Sequence, residues 1–228
     1  MGTQNQLVQK IHETGVPTIV VLVGGRPLSV NWIAQNVQAL VQAWEPGALG
    51  GCALANILAG KVNPSAKLPI SIPRHSGQIQ MIYNHKPSQY FHKYIDGPST
   101  PLYPFGFGLS YTRFAYSSLK LSHTRISDKD SFTASIELTN VGDREGTEVV
   151  QLYIRDIYSS ATRPVKELKD FARVTLKPGE KKTVTFTVTP DKLAYWNRNM
   201  QYGVEKGEFE IMIGSSSQDK DLKKVKME

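Results

Sequence analysis

Few of the 228 residues combine the type and spacing that bond-breaking chemistry needs. Glu45 is the sharpest acid: it follows the apolar run Val37 to Trp44 and opens the glycine-rich turn Pro46-Gly47-Ala48-Leu49-Gly50-Gly51, the kind of edge where α/β domains hold ligands. A carboxylate there could exchange protons with a substrate, but an acid in such a turn is ordinarily a solvated side chain, and that reading is preferred. Asp96, beside Gly97-Pro98, suits an Asx turn better than catalysis, and Asp143 and Glu145 are expected to face water in a turn. Tyr83, His85, Tyr90, Phe91, His92 and Tyr94 crowd one loop. Rings with polar handles suit sugar stacking and equally suit the packing of a domain seam. The histidines form no metal-ligand spacing, and Ser110 has no evident His and Asp partners. Cys52 is the only cysteine, which excludes an intrachain disulfide, and within its apolar helical run it reads as a packing residue. No residue is assigned a catalytic or metal-binding role, the substrate-binding residues stay unassigned, and no cofactor is expected.

The elements that would position these residues fall into two series. Leu7 and Ile11 predict a short helix stopped at Gly15, and Pro17 to Val23 has the β-branched, continuously apolar character of a parallel strand buried on both faces. Val37 to Trp44 reads as a second buried strand or as a helix face. Cys52 to Ala59 is a helix closed by Gly60, and Leu68 to Ile72 a third strand. This alternation predicts a doubly wound α/β arrangement that begins with no earlier strand, hence the last part of a larger sheet with an unpaired edge. From Phe114 the period changes. Phe132 to Thr139, Glu148 to Arg155, Ala172 to Leu176, Lys182 to Thr187 and Gly207 to Ile213 read as strands parted by turns such as Asn140-Val141-Gly142-Asp143 and Lys177-Pro178-Gly179-Glu180. They predict an immunoglobulin-like or fibronectin type III-like sandwich. The expected fold class is therefore α/β followed by all-β, with a partial α/β sandwich domain over 1–98, a junction over 99–116 and the β-sandwich over 117–228; the charged tail Lys220 to Glu228 is expected to be mobile.

Charge excludes one class of partner. Residues 1–112 carry seven Lys/Arg against three Asp/Glu, and residues 113–228 carry twenty against seventeen, so the net +7 is spread as +4 and +3 with no basic stripe. Nucleic acid is not an expected partner. The first residues, Met1 to Gln6, lack the basic and apolar regions of a secretory leader, and no segment reaches the roughly 18 apolar residues of a membrane span. Neither a signal peptide nor a membrane partner is expected in this chain.

Pro104-Phe105-Gly106-Phe107-Gly108-Leu109-Ser110-Tyr111-Thr112-Arg113-Phe114 joins the two series. Its glycines fall short of a dinucleotide fingerprint, because Tyr111 stands where a third glycine should be; tight turns framed by aromatic residues at a seam are the better reading. The segment resembles the junction of glycoside hydrolase family 3, particularly bacterial periplasmic β-glucosidases. Further blocks resemble the same family in order: Val20 to Leu28 with its Gly-Arg-Pro turn, Trp44 to Gly51, Asn63 to Pro69, Thr139 to Tyr153, Arg163 to Lys169 and Leu176 to Glu180. Three positions depart from the family pattern. Leu49 replaces an acid, Lys61 an Asp and Ala66 a Gly, the last expected to carry strain if that position has positive φ.

The resemblance implies a barrel, an α/β sandwich and a fibronectin-like domain, of which this chain holds the end. It implies a retaining enzyme acting on terminal β-D-glucosyl residues of glucosides and oligosaccharides, periplasmic or secreted. The Asp nucleophile and Glu acid/base that the family uses lie before the stretch matched here, so the chain alone is expected to be non-catalytic and to need the missing barrel domain. The alternatives are a non-catalytic carbohydrate-binding or interaction module and one half of a split enzyme.

Overall fold

The computed structural model describes residues 3–78, 81–87, 95 and 97–228. They form two compact units. The first takes in Met1–Val62, Ile72–Gln80 and Thr100–Tyr103, and the second Asn63–Ser71, Met81–Ser99 and Pro104–Glu228, so far as these are described.

In the first unit, helix α1 (Gln4–Glu13) stops where Gly15 adopts φ +76° and its N–H donates to the His12 carbonyl at 3.0 Å. Strand β1 (Ile19–Val23) runs parallel to β2 (Ala39–Trp44), and the chain crosses between them through the short helix α2 (Asn31–Asn36). The ambiguous run before Glu45 is therefore a strand. Helix α3 (Gly50–Leu58) follows, and Gly60, at φ +72°, lies just beyond its end.

The expected burial of β1 on both faces is corrected: its ends are open, Ile19 being 50% and Val23 64% exposed. Among the described residues its sheet has two strands, so one edge of each strand lacks a neighbour. Among the described residues, Val30, Ile33 and Ile72 are the unit's buried large apolar side chains. Leu68 to Ile72 is not a third strand of this sheet either. Pro69 and Pro73 remove ladder donors there, leaving an isolated bridge from Ile72 to Tyr103 and, in the second unit, bonds between Leu68 and the Gly106–Phe107 turn.

The second unit is a sandwich of two antiparallel sheets. Its strands are β3 (Phe114–Tyr116), β4 (Lys120–Leu121), β5 (Phe132–Asn140), β6 (Gly146–Asp156), β7 (Glu167–Leu176), β8 (Lys181–Val188), β9 (Tyr195–Trp196), β10 (Tyr202–Gly203), β11 (Phe209–Gly214) and β12 (Leu222–Met227); a one-turn helix α4 (Pro190–Leu193) precedes β9. One sheet is ordered β12-β11-β6-β7. In the other, β8 lies along one side of β5 while β3 and β4 share its opposite side.

Strict alternation makes β5 amphipathic: Phe132, Ala134, Ile136 and Leu138 are at most 2% exposed and meet Val150, Leu152, Ile211 and Ile213 from the facing sheet. The α/β-then-all-β order read from the sequence is the order found. The tail is corrected: from Leu222 it is β12, paired residue by residue with β11 from Phe209↔Met227 to Gly214↔Leu222. Its buried Leu222 and Met227 anchor an edge strand whose lysines resemble a tail in sequence but shield an open edge in the fold.

Candidate functional site

Three places gather chemistry-bearing side chains. The first is the segment around Gly106 and Gly108, which lies against the sandwich within the second unit. Asn63 holds it: its Oδ1 accepts from Ser110 Oγ at 2.9 Å and from the Tyr111 N–H at 2.8 Å, while its Nδ2 donates to the Glu145 carbonyl at 2.9 Å. Ser110 is thus a structural donor. Asn140, fully buried, accepts from Thr112 Oγ1 at 2.7 Å and donates to the carbonyls of Arg144 and Leu176.

Gln151 donates to the carbonyls of Gly106 at 3.1 Å and Ser215 at 2.8 Å and accepts from Tyr153 Oη at 2.5 Å. Lys67 and Glu148, with side chains only 12% and 8% exposed, form an ion pair at 2.8 Å. Removing either partner would strand a charge in a medium that solvates it poorly. The turn expected at Gly106 is found, with φ +78°, and the chemistry of the segment is that of a fastener. Ala66 does not carry the expected strain, because among the described residues outside glycine only Trp44 and Met200 have positive φ.

The second place is the carboxyl edge of β1 and β2. Trp44 adopts φ +53°, the register shifts so that Val23 pairs with Trp44, and the Gly24 N–H donates to the Trp44 carbonyl at 2.9 Å. Glu45 is exposed there, and a Cβ on Gly25 would stand 3.0 Å from its Oε1. This is the solvated turn residue that the sequence favours. Cys52, expected to pack, is instead exposed on α3, whose one buried residue is Gly50. Asp143 and Glu145 face solvent as expected.

Of the aromatic loop, Tyr90, Phe91, His92 and Tyr94 lie outside the described residues, as does Asp96. Tyr83 stacks on Phe105 at 4.1 Å, meets Tyr153 edge-on at 5.9 Å and accepts at its hydroxyl from the Leu168 N–H. The His85 carbonyl accepts from the Val165 N–H at 2.9 Å. One face and the polar handle of Tyr83 are thus engaged by protein.

The third place went unread in the sequence. At the end of β6, burial first of all raises Asp156 to about 6; Arg163 opposes this, and Glu205 adds to it. Glu205 is drawn down to about 2, chiefly by Ser160 Oγ at 2.6 Å and by the Tyr195 hydroxyl. The Arg163 guanidinium lies over the Tyr195 ring at 4.5 Å and pairs with Glu167 at 2.5 Å. Two acids pushed apart in this way are what a proton-transfer pair requires. Here, however, Glu205 is saturated by protein hydroxyls. A cavity of about 330 Å³ lies elsewhere, lined by Thr124, Arg125, Glu208, Lys226, Met227 and Glu228. Asp156 and Arg163 lie near one another in the sequence, but Tyr195 and Glu205 are brought to them only by folding.

Two family models match. Residues 1–111 match the glycosyl hydrolase family 3 C-terminal domain, and residues 148–217 the fibronectin type III-like domain. A β-xylosidase of Formosa agariphila is 47% identical over 229 residues, which cover 99% of this chain and 32% of the relative. The periplasmic β-glucosidase of Salmonella typhimurium is 44% identical over 225 residues, covering 94% of this chain and 29% of the relative. Among solved structures, a β-glucosidase of Erythrobacter marinus matches with TM-score 0.95 at 43% identity, over 100% of this chain and 30% of that one. A β-glucosidase of Listeria innocua in complex with glucose matches at 0.91 and 36%, over 98% and 32%. The chain spans about a third of the length of each of these relatives.

Proposed function

Since the chain belongs to glycosyl hydrolase family 3, of which it carries the C-terminal and fibronectin type III-like domains, we propose that it serves as the C-terminal part of a retaining β-glycosidase acting on terminal β-D-glucosides and short oligosaccharides. The observation that carries the proposal is the lopsided match, which covers nearly all of this chain but about a third of each relative. Retention needs two carboxyls about 5 Å apart, one ionised to attack the anomeric carbon and one protonated to release the leaving group. The acids here offer poor substitutes: Glu45 is exposed in its turn, and Glu205 is taken up by Ser160 and Tyr195. The nucleophile and proton donor then come from a barrel and from the earlier part of the α/β domain, and the open edge of the β1–β2 sheet is where such a part adds its strands.

The domain limits that go with this reading are 1–98, 99–116 and 117–228. The compartment is the periplasm or the cell exterior, supported by the printed location of the Salmonella relative; no described helix is long and apolar enough to cross a membrane. The chain alone is expected not to turn over nitrophenyl β-glucoside or nitrophenyl β-xyloside. Joined in one polypeptide to the preceding part of the Salmonella relative, it should support hydrolysis with retention, read by NMR of the first-formed sugar. Turnover by the chain alone, abolished by Glu45→Gln or another single carboxylate substitution, would overturn the proposal.

A further inference from the structure

The β9–β10 hairpin presents its two faces to different surroundings. Tyr195 is 4% exposed and held from behind by Glu205 and Arg163, whereas Trp196, one residue on, is 59% exposed. A strand's two-residue period produces this reversal. Directly opposite Trp196 across the ladder stands Tyr202, 53% exposed, the ring centroids being 5.4 Å apart and the planes inclined at 51°. Two large rings are thus kept side by side in water, where neither contributes to the core.

Their support is stiff. Asn197 Oδ1 accepts from the N–H groups of Asn199 at 2.9 Å and Gln201 at 3.0 Å, the Asn197 N–H donates to the Gln201 carbonyl at 3.0 Å, and Met200 completes the turn at φ +58°. Rings fixed in advance lose little freedom when a ligand arrives. Arg198, Asn199 and Gln201 are exposed in the turn that joins the two strands, and they carry amide and guanidinium groups.

We propose that Trp196 and Tyr202 form a saccharide-binding site on the β-sandwich, taking one or two pyranose rings of a neutral oligosaccharide. A pyranose offers an apolar C–H face to an aromatic ring and a margin of hydroxyls to amide donors and acceptors, and this hairpin carries both kinds of group on exposed residues. Size argues against a protein occupant: two rings exposed by about half present roughly 200 Å², whereas a stable protein partner buries about 800 Å² on each side. The inference concerns binding alone and stands or falls apart from any role in hydrolysis.

Titration calorimetry of the whole chain with cellotetraose, laminaritetraose and xylotetraose tests it. At least one tetraose should bind in the millimolar range or tighter, and Trp196→Ala and Tyr202→Ala should each weaken it by about tenfold or more, with Tyr202→Phe retaining most of the affinity. Because both rings are exposed, the melting temperature should hardly change in these variants; were Trp196→Ala to unfold, Tyr202→Ala carries the test. No heat with any of the three sugars, or undiminished binding in a folded Trp196→Ala or Tyr202→Ala chain, overturns the site. A dimer of the wild type that Trp196→Ala dissociates in sedimentation would assign the rings to a second copy and overturn it as well.

Discussion

Asp156 sits at the end of β6 with Oδ1 buried and unpartnered, and burial, the largest influence on it, raises its pKa to about 6. An aspartate in the unfolded chain titrates near about 3.9, so the folded protein holds this proton more tightly. The stabilisation from the bound proton is full below a pH of about 4 and disappears as pH rises through about 6. Glu205 has the opposite sign: with its pKa drawn down to about 2, its contribution is present above its unfolded value and is lost as pH falls toward 2. Above about pH 5 the Asp156 effect therefore stands clear, and below it the Glu205 effect is common to wild type and variant and cancels in their difference. Asp156→Asn, which removes the charge while keeping the shape, should leave the protein about 1 kcal/mol more stable at pH 7, after discounting for the solvent that reaches this partly exposed group, and no different at pH 4. Urea unfolding at pH 4, 5.5 and 7 checks this. A variant less stable than wild type at pH 7 would mean that the ionised carboxylate is repaid by Arg163.

At the scale of elements, positive φ alone does not decide what a turn tolerates. Gly106 and Gly179 have nearly the same conformation, φ +78° and +75°, but a Cβ on Gly106 would lie 2.1 Å from Gln151 Oε1 whereas one on Gly179 meets nothing within 4 Å. Gln151 cannot yield without giving up its bonds to Gly106, Ser215 and Tyr153. Gly106→Ala should therefore cost about 2–4 kcal/mol from strain and broken bonds together, and Gly179→Asn only about 0.5 kcal/mol, since Asn enters the left-handed region readily. Equal losses in denaturant titrations would show that conformation and not contact governs both. Elements were legible where period and punctuation agreed, as in β5, whose alternation is unbroken, and in α1, which halts before Gly15. They were hidden where length or charge obscured the pattern. A two-residue strand such as β9 has no period to read, and the lysines of β12 mask its buried ends. The fastener around Gly106 was visible as a motif, but its partners Asn63, Asn140 and Gln151 are joined to it only by folding.

Taken whole, the molecule invests its apolar surface unevenly. In the sandwich, Val150, Leu152, Tyr153, Ile211, Met212 and Ile213 are fully buried, whereas α1 buries no residue, α3 buries only Gly50, and Leu7, Val16, Leu49 and Val62 are exposed. The sequence makes the first unit apolar, and that character predicts a buried element; how much of it is covered depends on neighbours that the sequence of the unit does not specify. Local stability follows buried contacts and not apolar composition, so the two units should open at different free energies. In native-state hydrogen exchange, the amides of β6 and β11, which occupy the middle of their sheet with a partner on each side, should be the slowest in the chain. Those of α1 and of the β1–β2 pair should exchange through openings that cost several kcal/mol less, and should lose protection at urea concentrations that leave the sandwich intact. If the β1–β2 sheet gains strands from a preceding domain, as the proposed function requires, the fusion to the earlier part of the Salmonella relative should slow β1 exchange without altering β6. Uniform protection across both units in the chain alone would mean that the exposed apolar surface of the first unit costs it nothing, and the argument for an added partner at its sheet edge would fail with it.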